Sequence, residues 1–124
     1  MSPTNRKQQV GRWGENVAAY FLEKKGYCIQ ARNLRTAFGE IDLVAQIEQT
    51  TVFVEVKTRT NQDFGMPEQA ITQKKRSHLI RAIQAYWSGQ VKPEGDWRVD
   101  VIAIRGHPGG KEVEIEHFEN AITS

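Results

Sequence analysis

Three acids and a lysine fall on two short stretches that read as extended strands, Glu40-Ile41-Asp42 and Glu55-Val56-Lys57. Each pair alternates with an apolar neighbour, so its two charges share one face of the strand. The polar break Glu48-Gln49-Thr50 reads as a hairpin turn between the two strands. With Gln49 and Thr50 forming a two-residue turn, Asp42 is expected opposite Lys57, with Glu55 as its diagonal neighbour. Diagonal neighbours on one face lie about 7–8 Å apart, close enough for two carboxylates to share a cation. Two carboxylates about 5 Å apart repel by roughly 3 kcal/mol at an effective dielectric of about 20. Lys57, a divalent cation or a proton must offset that cost. Oxygen-only ligands favour Mg²⁺ or Mn²⁺ over zinc. Asp42 and Glu55 as metal ligands, with Lys57 orienting a water or stabilising a phosphorane, would suit phosphodiester hydrolysis. Spacing alone leaves a second reading open, in which the same charges line a solvated sheet face as cross-strand ion pairs. Glu23-Lys24-Lys25 repeats the Glu-x-Lys spacing on a helix and carries no weight.

Several elements must position these groups. Val10, Trp13, Gly14, Val17 and Phe21 recur at helical spacing within a segment from Gln8 to Lys25, stopped by Gly26. Glu15 lies on the edge of that stripe, on the flank shared with Ala18 and Leu22. Three strands are expected next, Tyr27 to Arg32, Glu40 to Ile47 and Thr51 to Thr58. In the second, Ile41, Leu43, Ala45 and Ile47 should share one face. A second helix should start at the N-cap Thr72 and stop before Gly89, with Leu79, Ile80, Ile83 and Trp87 inward. Two closing strands, Trp97 to Arg105 and Glu112 to Phe118, flank the turn at residues 106–110. The order αβββαββ implies an α/β domain with a mixed sheet, an antiparallel meander first and a helical crossover later. At 124 residues, one domain spanning 1–124 is expected.

Charge is uneven along the chain. Residues 1–35 carry seven Lys/Arg against Glu15 and Glu23, whereas residues 106–124 carry Lys111 against four glutamates. No acid occurs between Gln69 and Pro93, where Lys74, Lys75, Arg76, Arg81 and Lys92 stand. Arg12, Arg32, Arg35, Arg59 and the basic start of the second helix, Lys74, Lys75 and Arg76, could contact phosphates. A solvated helix face explains the same residues equally well. Nothing resembles a base-reading module or a glycine-rich phosphate loop. His78, His107 and His117 have no metal-site spacing and read as structural. Cys28 is expected to be a buried thiol, and Trp13, Trp87 and Trp97 to be core. A single cysteine, a polar N-terminus and no long apolar run point to a reducing, cytoplasmic setting without a membrane span.

Three blocks carry a resemblance. They are Gly11-Arg12-Trp13-Gly14-Glu15 with Ala18 and Ala19, then residues 39–44 (GEIDLV), then residues 52–59 (VFVEVKTR). In this order they resemble the YraN family of small bacterial proteins, over nearly the whole chain. That family belongs to the PD-(D/E)xK nuclease superfamily, and its layout is similar to that of archaeal Holliday-junction resolvases. The resemblance implies a restriction-endonuclease-like fold and a Mg²⁺- or Mn²⁺-dependent site. Asp42 and Glu55 would bind metal, Lys57 would be the catalytic lysine, and Glu15 the helix acid that completes the site. Glu40 is a further candidate. Ile41 stands where the motif's name puts proline, and no additional motif stands out on or near the second helix, where Gln69 and Gln73 are no more than candidates.

Three functions are thus expected to compete. The first is a nuclease acting on nucleic acid, DNA foremost, recognised by shape and backbone; a homodimer would suit junction cleavage. The second is a nucleic-acid-binding module without catalysis on the same fold. The third is a protein-interaction domain that uses the acidic hairpin face.

Overall fold

A computed structural model describes residues 6–60, 72–89 and 95–122. In chain order they form α1 (Arg6–Lys24), β1 (Cys28–Thr36), β2 (Gly39–Ile47), β3 (Thr50–Arg59), α2 (Gln73–Ser88), β4 (Asp96–Arg105) and β5 (Glu114–Phe118). This is the order that periodicity predicts. The strands make one five-stranded sheet in the order β1-β2-β3-β4-β5. Strands β1, β2 and β3 form an antiparallel meander, β3 and β4 run parallel across the α2 crossover, and β5 returns antiparallel. Thr72 caps α2, its side chain accepting a hydrogen bond from the Lys75 N–H.

Each face of the sheet is covered by one helix, so the central strands are apolar on both sides. Ala18, Ala19 and Leu22 of α1 pack on Leu43, Ala45, Val52, Val54, Ile102 and Ile104. Leu79, Ala82 and Ile83 of α2 pack on Ile41, Val44, Phe53, Val99 and Val101. Trp13 joins the first core, and Trp87 and Trp97 the second, as expected. Among the described residues no helix is long and apolar enough to cross a membrane.

Three expectations are corrected. The first concerns the β2–β3 hairpin, which pairs Ile47 with Thr50 and Leu43 with Val54. Its turn is therefore Glu48-Gln49, with Glu48 in the left-handed region at φ 51°. Continuing that register one step sets Asp42 opposite Glu55, not opposite Lys57. The second concerns β2, which does not alternate strictly. Ile41 packs under α2 while Leu43 and Ala45 pack under α1, so the strand changes face around Asp42. The third is Cys28, which opens the edge strand β1 and is exposed.

Helix α1 approaches the sheet most closely at Gly14, where a Cβ would collide with the Thr58 hydroxyl. Gly11, one turn earlier, has open space around it. The two glycines should therefore respond oppositely to alanine. Gly11→Ala should gain the helical preference of about 0.5–1 kcal/mol and raise Tm. Gly14→Ala should lose about 1–3 kcal/mol to overpacking, outweighing the same preference and lowering Tm. Thermal unfolding of the pair checks this, and equal shifts would contradict the tight α1–β3 contact.

Candidate active site

Backbone pairing between β2 and β3 stops at Leu43 and Val54. Asp42, the next residue along β2, turns its carboxylate across the gap and accepts a hydrogen bond from the Val56 N–H, 2.9 Å from Oδ2. Neither strand could supply that partner once the ladder ends, so the side chain satisfies the orphaned amide. Glu55 is buried, and the Asp42 carboxyl also hydrogen-bonds to it. On its other side, Glu55 Oε1 lies 3.4 Å from Lys57 Nζ and 3.7 Å from Lys75 Nζ. Both lysines thus converge on one carboxylate oxygen.

Glu15 enters from α1, one residue after the close contact at Gly14. It is hydrogen-bonded to Asn33, which sits at φ 50° in β1. The left-handed backbone suits asparagine better than most residues. Carboxylate oxygens of Glu15, Glu40 and Asp42 lie within 4.8 Å of one another. Structure and sequence agree that Asp42, Glu55, Lys57 and Glu15 come together, and Glu40 joins them. They differ on how: the tight carboxylate group is Glu15–Glu40–Asp42, while Glu55 faces the lysines.

The electrostatics record the crowding. Burial first, then the negative charge of Glu55, pushes the Asp42 carboxyl up to about 8, against the pull of the Val56 amide. Burial likewise raises Glu15, which Asn33 opposes and Glu40 reinforces. Lys57 is lowered, by burial and then by its neighbour Lys75, against the pull of Glu55. The crowding thus favours keeping a proton among these acids. A hard divalent cation is the other way to offset the repulsion, and an all-oxygen donor set at this separation fits Mg²⁺ or Mn²⁺.

The basic residues expected to meet phosphates divide. Arg12 is exposed on α1, three residues before Glu15. Arg35 is exposed and lies 3.8 Å from Glu40. Arg59 ends β3, two residues beyond Lys57 on the same face, and pairs in register with Arg105. Lys74 is exposed and Arg76 half-buried at the start of α2. Lys75 belongs to the site itself through Glu55, a role that spacing did not reveal. Arg32 donates to the Asn16 side chain. Gln73 is exposed at the first position of α2, and Gln69 lies outside the described residues.

One polar cluster was missed. Asp100 is fully buried and accepts hydrogen bonds from His117 Nε2 at 2.7 Å, Arg98 Nε at 3.0 Å and the Asn120 N–H at 2.9 Å. Arg98 also reaches the Tyr27 hydroxyl, and Lys25 reaches His117 Nδ1. His117 is thus structural, as expected. The available signal was a charge at a core position, Val99-Asp100-Val101.

Residues 14–104 match the profile of "Uncharacterised protein family UPF0102". A UPF0102 protein of Roseiflexus castenholzii is 42% identical over 120 residues, covering 96% of this chain and 97% of its own length. Another, from Chlorobium phaeobacteroides, is 45% identical over 116 residues, covering 90% and 92%. A third, from Syntrophotalea carbinolica, is 41% identical over 118 residues, covering 95% and 94%. The chain belongs to the UPF0102 family. The matched span of this UPF0102 protein contains Glu15, Glu40, Asp42, Glu55, Lys57 and Lys75.

Two outcomes follow. The folded Asp42 carboxyl keeps its proton up to about pH 8, whereas in the unfolded chain it is lost near 3.8, the ordinary value for aspartate. Stability in the absence of divalent cations should therefore fall as pH rises between those values. Asp42→Asn keeps an acceptor for Val56 and adds a donor for Glu55, so it should raise Tm at neutral pH and flatten that slope. The gain is roughly 3–6 °C for each kcal/mol relieved. Thermal scans in chelator from about pH 5 to 8 read both effects. Conversely, Asp100→Ala should cost about 3–5 kcal/mol by stranding Arg98 and His117, measured by urea unfolding.

Proposed function

We propose that this UPF0102 protein is a Mg²⁺- or Mn²⁺-dependent nuclease of restriction-endonuclease-like architecture, acting on DNA. The observation that carries this reading is the Glu15–Glu40–Asp42 carboxylate group, within 4.8 Å, set beside Glu55 and its two lysines. Asp42 would hold the cation with Glu55 or with Glu15 and Glu40. Such a cation supplies Lewis-acid charge at a phosphodiester and lowers the pKa of water. Lys57 sits beside the acids with a reduced hold on its proton, and would orient the attacking water or donate to a phosphoryl oxygen as charge develops. Glu55 fixes Lys57 in place, and Lys75 helps to aim Glu55. Arg12, Arg35, Arg59, Lys74 and Arg76 would contact flanking phosphates. One P–O ester bond would break as water adds, leaving a phosphate monoester and a hydroxyl.

The test is cleavage of labelled linear and branched DNA with Mg²⁺ or Mn²⁺. Asp42→Ala, Glu55→Ala and Lys57→Ala should each lower the rate by about a hundredfold or more, and Lys75→Ala by less. Cleavage that survives both Asp42→Ala and Lys57→Ala would overturn the site. Salt-dependent binding that never leads to cleavage would instead identify a module that grips phosphates without hydrolysing them.

A further inference from the structure

The β1–β2 turn carries a feature that phosphodiester hydrolysis does not use. Phe38 projects from its tip and is 47% exposed. The turn beneath it is fixed by its own hydrogen bonds. Thr36 Oγ1 donates to the Gly39 carbonyl at 2.8 Å, and the Phe38 N–H donates back to that hydroxyl at 3.1 Å. Gly39 adopts φ 139°, which a side chain would resist. The ring is therefore presented by a pinned turn.

Opposite the ring, Arg81, Gln84, Ala85 and Ser88 of α2 complete a groove of about 410 Å³. The groove is shallow and open to solvent, so a flat ring could lie across it against Phe38 without being enclosed. The lining pairs one aromatic face with a guanidinium, an amide and a hydroxyl, the groups that stack on and hydrogen-bond to a nucleobase. The other large exposed apolar side chains, Tyr20 and Val113, lie on α1 and ahead of β5. Charge agrees, because α2 carries Lys74, Lys75, Arg76 and Arg81 and no acid. Location agrees too. Phe38 precedes Glu40 by two residues and Asp42 by four, at most about 13 Å along an extended strand. A stacked strand advances about 3.4 Å per nucleotide, so the groove lies within a few nucleotides of the acids.

We infer that the groove between Phe38 and α2 holds an unpaired nucleobase stacked on the Phe38 ring, making the substrate a nucleic acid with single-stranded character near the cleaved bond. This rests on the nuclease reading, whose substrate class it narrows. A base inside a duplex keeps its faces stacked on its neighbours and could not enter.

The test is fluorescence anisotropy with a blunt DNA duplex and the same duplex bearing a single-stranded tail, in chelator so that nothing is cleaved. Wild type should prefer the tailed DNA. Phe38→Ala and Phe38→Leu should weaken tail binding by about tenfold, with the blunt duplex nearly unchanged, whereas Phe38→Tyr should keep the preference. Equal weakening of both DNAs, no weakening of either, or full rescue by leucine would overturn the stacking site. Cleavage that depends on Lys57 while Phe38→Ala leaves tail preference intact would retain the nuclease and remove the base site. A wild-type protein that binds neither DNA would remove both.

Discussion

The hydrogen bond from the Val56 amide to Asp42 is the constraint on which the site depends. It forms because the β2–β3 ladder ends one residue earlier and leaves that amide without a strand partner. Satisfying it draws a carboxylate into the gap between two strands, beside Glu55 and within reach of Glu15 and Glu40. A pair of charges about 5 Å apart costs roughly 3 kcal/mol at a dielectric of about 20. Folding alone gives no reason to gather four acids there. The close contact at Gly14 adds to the cost by bringing α1, and with it Glu15, down onto β3.

Much of this was legible in the sequence, for a reason of parity. The polar break at residues 48–50 offers two adjacent two-residue turns. Choosing Gln49-Thr50 over Glu48-Gln49 moves the pairing of β2 against β3 by two positions. A shift of two leaves each side chain on its original face, whereas a shift of one would have sent it to the other. Asp42, Glu55 and Lys57 therefore stayed together although their partners were misassigned. The face change at Ile41 was not legible, because alternation is a local rule and the switch is set by how β1 and β2 bend over α2. Nor could spacing foresee the reach of Lys75 to Glu55, which depends on how the crossover helix is set over the sheet and not on where it begins. Cys28 was misplaced because an apolar neighbourhood in sequence says nothing about which strand lies at a sheet edge.

Two aspartates, half-buried Asp42 and fully buried Asp100, show how one residue type can stand in opposite electrostatic surroundings. Asp100 lies deeper, yet hydrogen bonds from His117, Arg98 and Asn120 outweigh its burial and hold it below the usual carboxylate range. Its charge is satisfied internally, and it ties β4 to β5 and to the turn after α1. Asp42 accepts one backbone amide and otherwise faces acids, so it is driven the other way, up to about 8.

That contrast is a physical criterion. A buried carboxylate matched by donors within its own chain has nothing left to offer a ligand. A buried carboxylate that the fold leaves short of positive charge retains an electrostatic demand that an external cation can meet. The two sites lie on one sheet and are built from the same kinds of side chain. They differ in whether the cations were placed within reach. Around Asp42 the two lysines point to Glu55 instead, which leaves the Glu15–Glu40–Asp42 oxygens facing one another. The fold thus sets two lysines on the Glu55 side of the acid group, whereas the Glu15–Glu40 side has the exposed arginines Arg32 and Arg35, and that weaker side is where a divalent ion would complete the balance.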